Sequence, residues 1–342
     1  MWFLLRYPGD GGIMKILVTG GAGYIGSHAV RQLVAAGHEV VVYDNLSTGH
    51  RWAVADAPLV EGDLAEREKL SQLMERSRFE ALIHFAASTV VPESLAVPLA
   101  YYTNNTGNTL GLLELIDRHR IPWYVFSSTA AVYGLPAAWA VTEEAPLAPI
   151  NPYGASKMMS ERICQDLAAA SELRYVILRY FNVAGAEPAA RIGQATPHAT
   201  HLIKVACEAV LGVRSGLKLY GTDYPTADGT CIRDYIHVED LARAHVMALE
   251  YLAAGGASEV LNCGYGHGYS VREVLDRVRV VAGVGFSVEE AGRRPGDPPA
   301  LVADNTRIRR VLGWQPVYDD LEQIVVHALA WERAYQAMRQ RA

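Results

Sequence analysis

Two short stretches carry the residue types for proton chemistry. STAAVYG, Ser128 to Gly134, sets a hydroxyl (Thr129) at the end of an apolar run, Trp123 to Phe126, and follows it with two alanines. YGASK supplies Tyr153 and Lys157, whose spacing of four puts them on one face of a helix. A free phenol titrates near about 10, too high for a base at neutral pH. An adjacent ammonium favours the phenolate, which then accepts a proton from an alcohol. The plainer alternative is a tyrosine packed at a helix start beside a solvated lysine. Ala130 and Ala131 exchange no proton through their side chains, so a reaction at this loop has no further acid or base there.

A second constellation lies near the start. TGGAGYIG carries Gly20, Gly23 and Gly26 directly after an apolar strand and at the opening of a helix. Such a turn lets backbone approach a pyrophosphate that rests on the helix N-terminus. Three glycines alone also fit a structural turn, but the next strand ends in Asp44, where a carboxylate accepts from an adenosine ribose 2′-hydroxyl and repels a 2′-phosphate. NAD is therefore expected over NADP, with Arg51 nearby as the one contrary feature.

These residues need elements to hold them. Apolar runs at 15–20, 38–44, 80–87, 123–128 and 174–182 read as strands. Between them, 24–37, 64–76, roughly 98–119 and 152–170 have helical spacing. Strand–helix alternation predicts an α/β, Rossmann-type doubly wound parallel sheet. Beyond Asn182 the pattern loosens into loops, helices near 200–212 and 239–253, and short strands. We expect a dinucleotide-binding domain over 14–181 and a smaller mixed α/β substrate lobe over 182–342, with part of 230–265 returning to the first domain. Residues 1–13, with a four-residue apolar patch before Arg6 and a Pro/Gly-rich turn, read as a disordered leader before Met14.

Composition narrows the partners. The chain has 342 residues, half of them hydrophobic, and a net charge of −6 with no basic run, so nucleic acid is not expected. The N-terminal apolar patch is too short for a signal peptide or a membrane span. Cys164, Cys207, Cys231 and Cys263 are widely spaced without a C-x-x-C pair, which suggests neither a zinc site nor a disulfide framework and fits a reducing cytoplasm.

The G-x-x-G-x-x-G spacing resembles the short-chain dehydrogenase/reductase superfamily, and the length its extended branch. That resemblance calls for a Tyr-x-x-x-Lys helix with a Ser or Thr at the end of the fourth strand, and Tyr153, Lys157 and Thr129 meet it. Thr129 would then bridge the proton between a substrate oxygen and Tyr153. Sugar-nucleotide dehydratases of that branch carry an acidic pair after the Thr to expel water, and related decarboxylases a Glu. The alanines here leave proton and hydride traffic at one carbon, which is epimerisation.

From Met14 onward the chain is similar to the galactose-pathway family of bacterial UDP-glucose 4-epimerases. YDNLSTGH, NPYGASK, RYFNVAGA and RRPGDPPALVAD carry this likeness beside the motifs above. The resemblance implies that Tyr24, Ile25, Asp44, Asn45, Asp63, Leu64, Phe85, Ala86 and Asn104 line the NAD site, with Phe181 beside the nicotinamide. It implies that Asn182 and Arg233 meet the diphosphate, that Tyr220 packs on uracil, and that Arg294 and Asp297 hold phosphate and ribose. Taken singly, each could instead be a surface charge or a core aromatic.

Three positions depart from the familiar pattern. Thr89 replaces a Lys that contacts the cofactor in some members, His201 an Asn, and Thr129 a Ser. Leu301, beside the sugar, is intermediate between the sizes associated with different tolerance of 2-acetamido sugars, so the substrate range stays open. UDP-glucose/UDP-galactose is the expected pair, with UDP-xylose/UDP-arabinose or UDP-GlcNAc/GalNAc as alternatives. A net dehydrogenase exchanging NAD and a redox-sensing binding protein rank behind these, the latter because it would need no Tyr–Lys pair. A homodimer built on helices 98–119 and 152–170 is implied by the family.

Overall fold

The computed structural model describes residues 12–54, 56–197, 199–294 and 296–341. Most of the expected leader, residues 1–11, lies outside the described residues, and Gly12 and Ile13 are exposed and belong to no helix or strand.

The central sheet has seven parallel strands in the spatial order Glu259–Cys263, Arg174–Tyr180, Trp123–Thr129, Ala81–His84, Lys15–Thr19, Glu39–Asp44, Leu59–Glu61. Their apolar runs are continuous because both faces are covered. Ile16, Val18, Ile83, Val125 and Val176 join one buried cluster, while Leu17, Leu82, Tyr124, Phe126 and Ile177 join another. Successive strand residues point to opposite faces, so the two clusters are the two sides of one sheet.

The chain begins in the strand Lys15–Thr19, steps outward to Leu59–Glu61, then returns past its start to Ala81–His84 and builds the other half. This reversal leaves a switch point between Lys15–Thr19 and Ala81–His84, where an open α/β sheet presents a crevice at its carboxyl ends. The two strand ends meet closely there. Gly20 has φ +73°, and a Cβ on it would lie 2.4 Å from the Ala86 amide nitrogen. Only glycine fits that contact.

Two elements differ from the sequence expectation. The edge strand Leu59–Glu61 is only three residues long, between Pro58 and Gly62, too short to show a period. The expected helix over 98–119 is divided into helices Pro98–Tyr101 and Asn108–Arg118, with a π-helical stretch Tyr102–Gly107 between them, and a short helix Val91–Ala96 precedes it. Within the wide turn the side chain of Asn105 is drawn to Ser88 and Ser156, at 2.8–3.0 Å, and Asn104 donates to Ser88 Oγ at 2.9 Å. Side-chain bonds of this kind compete with the regular helical ladder.

Beyond residue 181 the sheets are small. Asn182–Ala184 pairs with Tyr235–His237, and Leu217–Tyr220 with Val288–Ala291. Ile232–Arg233 lies between Tyr269–Ser270 and Ala300–Ala303, with Ala140–Val141 on the outer side of the latter. Asp234 fastens these pieces: its carboxylate accepts from the amides of Tyr265, Gly266 and Ala303 at 2.9, 3.0 and 3.2 Å. Burial pushes its pKa up to about 6, against the pull of those amides. Arg233 and Leu301 are thereby held side by side in register.

Candidate active site

The strand Trp123–Thr129 ends in a 3-10 turn, Ala130–Tyr133, which Thr129 caps by accepting the Ala131 amide on Oγ1 at 3.1 Å. The helix Pro152–Ala170 starts against that turn. Asn151 caps it by accepting the Gly154 amide at 2.8 Å, and proline occupies its first turn, where no amide partner is lost. A Cβ on Gly154 would lie 2.5 Å from the Ala131 carbonyl oxygen, so the helix sits as close to the alanine pair as backbone allows. Tyr153, next to that glycine, is thereby brought to the Thr129 side chain, which pulls its pKa down.

Lys157 follows one turn later and is 3% exposed. Its Nζ donates to the Ser127 carbonyl at 2.9 Å and stands 4.6 Å from the centroid of the Phe126 ring. Burial pulls its pKa down to about 7, opposed by the charge of Glu161. Tyr153 is also buried, and burial raises its phenol above the ordinary value, reinforced by Tyr180 and opposed by Thr129. Thr129, Tyr153 and Lys157 thus form one buried group on two facing elements.

The glycine turn lies across the crevice. A Cβ on Gly26 would stand 2.2 Å from the Gly20 carbonyl oxygen, and Gly23 is the N-cap of the helix Tyr24–Ala35. Gly23 has no side chain to cap that helix and its first turn has no acidic residue, leaving its amides for an anion. Asp44 ends the next strand, 8% exposed, with Oδ2 accepting the Ala22 amide at 2.9 Å and Oδ1 the Leu46 amide at 2.8 Å. Burial raises its pKa while those amides oppose the rise. Each oxygen keeps a lone pair for a ribose hydroxyl. This donor and acceptor set fits the pyrophosphate and diol of NAD.

Around this cradle, Asn45 donates to Asp63 Oδ2 at 2.7 Å, Leu64 is buried, and Phe85 and Ala86 follow directly on the strand Ala81–His84. Ile25 packs on the core, and the Tyr24 hydroxyl donates to the Gly185 carbonyl at 2.7 Å, tying the cofactor-side helix to the second half of the chain.

On the opposite wall Phe181 packs with Ala130, Val132, Tyr133 and Leu301, so the STAAVYG loop and two of the expected site residues share one cluster. Asn182 lines a cavity with Tyr24, Gly185 and His201, and His201 Nδ1 lies 2.8 Å from Gln194 Nε2. Thr89 is exposed. The remaining expected nucleotide contacts pair with one another: Arg233 Nη2 bonds to Asp297 Oδ1 at 2.8 Å, and the Arg294 guanidinium lies 3.9 Å over the Tyr220 ring.

Sequence reasoning passed over four residues that surround this group: Ser127, Ser128, Glu161 and Arg179. Glu161 carried a signal, since it lies four positions after Lys157 and so on the face shared with Tyr153.

A parallel doubly wound sheet with a glycine turn at its switch point and a Thr–Tyr–Lys group beside it defines a nucleotide-dependent oxidoreductase-type fold. The chain belongs to the NAD dependent epimerase/dehydratase family, whose model matches residues 16–264. A UDP-glucose 4-epimerase of Azospirillum brasilense is 58% identical over 321 residues, 94% of this chain and 92% of that protein. A crystal structure of UDP-glucose 4-epimerase from Brucella ovis in complex with NAD superposes with a TM-score of 0.90 at 46% identity, covering 92% of this chain and 97% of that one. A third, from Bifidobacterium longum in complex with NAD+ and UDP, reaches 0.89 at 33% identity over 94% and 99% of the two chains.

Proposed function

We propose that this chain catalyses the reversible C4 epimerisation of UDP-glucose and UDP-galactose through a transient 4-keto sugar, using NAD. The observation that carries this reading is the joint burial of Thr129, at a strand end, with Tyr153 and Lys157, one turn apart on the facing helix, beside alanines that supply no second acid.

The chemistry supplied by bound NAD is reversible hydride transfer at C4, away from the alcohol and back to either face of the ketone. Tyr153 takes the 4-hydroxyl proton, relayed through Thr129, and returns it when the ketone is reduced. Lys157 has three N–H groups and spends one on Ser127, leaving donors for a ribose and a charge that favours the phenolate. Gly20, Gly23, Tyr24, Ile25 and Gly26, with Asp44, Asn45, Asp63 and Leu64, hold the adenosine and pyrophosphate side, while Phe85, Ala86, Asn104 and Phe181 border the nicotinamide side. Asn182, Tyr220, Arg233, Arg294 and Asp297 hold UDP. Guanidinium forks suit phosphate oxygens, a carboxylate suits vicinal hydroxyls and an aromatic face suits a base. Binding is concentrated on UDP so that the ketone can turn over between the two hydride transfers.

The domain division at 181/182 belongs to this reading, with the helix Val238–Ala253 and strand Glu259–Cys263 returning to the cofactor side. So does a homodimer, supported by the exposed Leu95, Leu99 and Leu110 on the helices over 91–118 and Met159 on Pro152–Ala170. Among the described residues no helix is long and apolar enough to cross a membrane. We place the protein in the cytoplasm, where its four buried, unpaired cysteines stay reduced.

The test is NMR of purified protein with UDP-galactose, UDP-GlcNAc and UDP-xylose, without added cofactor. Epimer from UDP-galactose supports the reading, and turnover of only one of the other two moves the substrate class. With C4-deuterated UDP-galactose in ordinary water the label should stay at C4. Its wholesale loss, or a product lighter by one water, would overturn the mechanism.

A further inference from the structure

Behind the proton-transfer group lies a second, fully buried polar constellation. Glu161, 1% exposed, is one helical turn beyond Lys157. Its carboxylate accepts from the Ser128 hydroxyl and from the Arg179 fork, with Nε at 3.1 Å from both oxygens and Nη2 at 2.6 Å from Oε2. Ser128 and Arg179 are themselves 0% and 3% exposed and stand opposite each other in register on neighbouring strands. Arg179 Nη1 reaches on to the Tyr133 hydroxyl at 3.1 Å, at the far end of STAAVYG, and to the Glu143 carbonyl at 3.3 Å, beyond that stretch.

A buried ion pair is weak evidence for stability, since apolar replacements of similar volume often serve as well. The placement of this one is specific. Ser128 lies between Ser127, whose carbonyl receives Lys157, and Thr129, which meets Tyr153. A bond from Ser128 to the helix that carries both partners fixes strand end and helix against each other at the point where the proton moves.

We propose that Ser128, Glu161 and Arg179 are positioning residues for the epimerase reaction, locking the Thr129 strand end to the Tyr153–Lys157 helix and holding one anionic carboxylate beside the lysine. The inference rests on the proposed function.

The surroundings leave little else to set the charge of Lys157. Glu161 on its own helix and His84 on the strand Ala81–His84 interact with Lys157 directly; Tyr180 on Arg174–Tyr180 and Tyr101 on Pro98–Tyr101 act on Tyr153, and Cys164 and Arg179 face Glu161. Burial keeps His84 neutral and raises Tyr101, Tyr180 and Cys164, while Arg179 stays charged. Glu161 alone among these raises the lysine's proton affinity against burial. Neutralising it lets Lys157 lose its proton at lower pH, and the phenolate loses its stabilising charge there.

The experiment compares NAD-loaded wild type with Ser128→Ala, the charge-neutral double variant Glu161→Gln/Arg179→Met, and Tyr153→Phe. Turnover and KM for UDP-galactose are followed against pH, beside thermal melting. Ser128→Ala should lower kcat about ten-fold through slight misplacement of the reacting groups, with KM within two-fold. The double variant should move the alkaline limb of kcat downward by about one pH unit, a change that a purely structural role would not produce. If Ser128→Ala keeps kcat within two-fold, or the folded double variant keeps the wild-type pH profile, the inference is overturned. Should the double variant not fold, Ser128→Ala decides. Loss of turnover in Tyr153→Phe with normal Ser128→Ala sinks this inference alone, whereas near-normal Tyr153→Phe sinks the epimerase mechanism beneath it.

Discussion

The two ends of the proposed site are built in opposite ways. At the reacting end Thr129, Tyr153 and Lys157 are at most 8% exposed, and Lys157 is held by a backbone carbonyl and a ring face. At the nucleotide end Arg294 is exposed, Asp297 half-buried and Arg233 buried, and the expected ligand-holding groups satisfy one another: Arg233 with Asp297, Arg294 with Tyr220. Proton transfer requires groups fixed within a few tenths of an ångström, which burial provides at a cost in stability. Binding a charged nucleotide requires groups that give up one partner for another, and each of these pairs has one member open to solvent, Asp297 in the first and Arg294 in the second, which lowers the cost of the exchange. Variants at the first end should therefore act on kcat, and those at the second on affinity.

The largest effect is expected at Tyr153. Tyr153→Phe should lower kcat by about a thousand-fold, in the range of general acid–base catalysis, with UDP affinity by calorimetry within two-fold of wild type. A comparable loss of UDP affinity would erase the contrast between the two ends.

Next is Lys157→Met, for which activity and stability should move in opposite directions. Turnover should fall about a hundred-fold or more. The folded pKa of Lys157 is lowered to about 7 by burial, below its unfolded value near about 10.4. Below pH 7 both states hold the proton and the folded state bears the full cost of a buried ammonium. As pH rises from 7 to about 10 the folded lysine is already neutral while the unfolded one still holds its proton, so unfolding takes up a proton and that cost diminishes. Cofactor-free Lys157→Met should accordingly melt higher than wild type near pH 7, with the gap closing toward pH 10. A variant that melts lower at every pH would show that the ammonium's bonds outweigh its burial.

How the sequence exposed these ends follows the same physics. The central sheet was legible because both faces are covered, so its strands are unbroken apolar runs, and the reacting residues because helical spacing and strand ends fix their place. The edge strand Leu59–Glu61 was not legible, being too short to show a period, nor was the π-helical turn at Tyr102–Gly107, which depends on side-chain bonds from Asn105 to Ser88 and Ser156, residues far away in the chain. Glu161 could have been found from its spacing to Lys157. Arg179 could not, since it reads as one residue of an apolar strand until its register opposite Ser128 is known. The self-pairing of Arg233 with Asp297 spans 64 positions and leaves no local pattern.

That ion pair should give the third effect. Arg233→Ala should weaken UDP binding about ten- to a hundred-fold, the worth of one or two charge-assisted hydrogen bonds, with kcat at saturating substrate within three-fold. Equal losses in kcat and kcat/KM would mean that Arg233 acts on the transition state and belongs with Tyr153.

The smallest effect should come from Arg294, and it tests the exchange idea most directly. Its guanidinium covers one face of the Tyr220 ring. A cation over an exposed ring is worth only about 0.5–1 kcal/mol, whereas a base stacked on an aromatic side chain is worth about 1–3. If the two compete for the ring, Arg294→Ala frees a face for uracil while removing a charge near the phosphates. The opposing changes should leave UDP affinity within about three-fold of wild type. Tyr220→Leu removes the platform itself and should cost more, about five- to ten-fold. The salt dependence separates the parts: losing a guanidinium that meets phosphate flattens the fall of affinity with added salt, and losing the ring does not. Were Arg294→Ala to abolish UDP binding while Tyr220→Leu left it unchanged, the arginine would be the anchor and the ring its support. The nucleotide end would then be preorganised, like the reacting end, and not exchangeable.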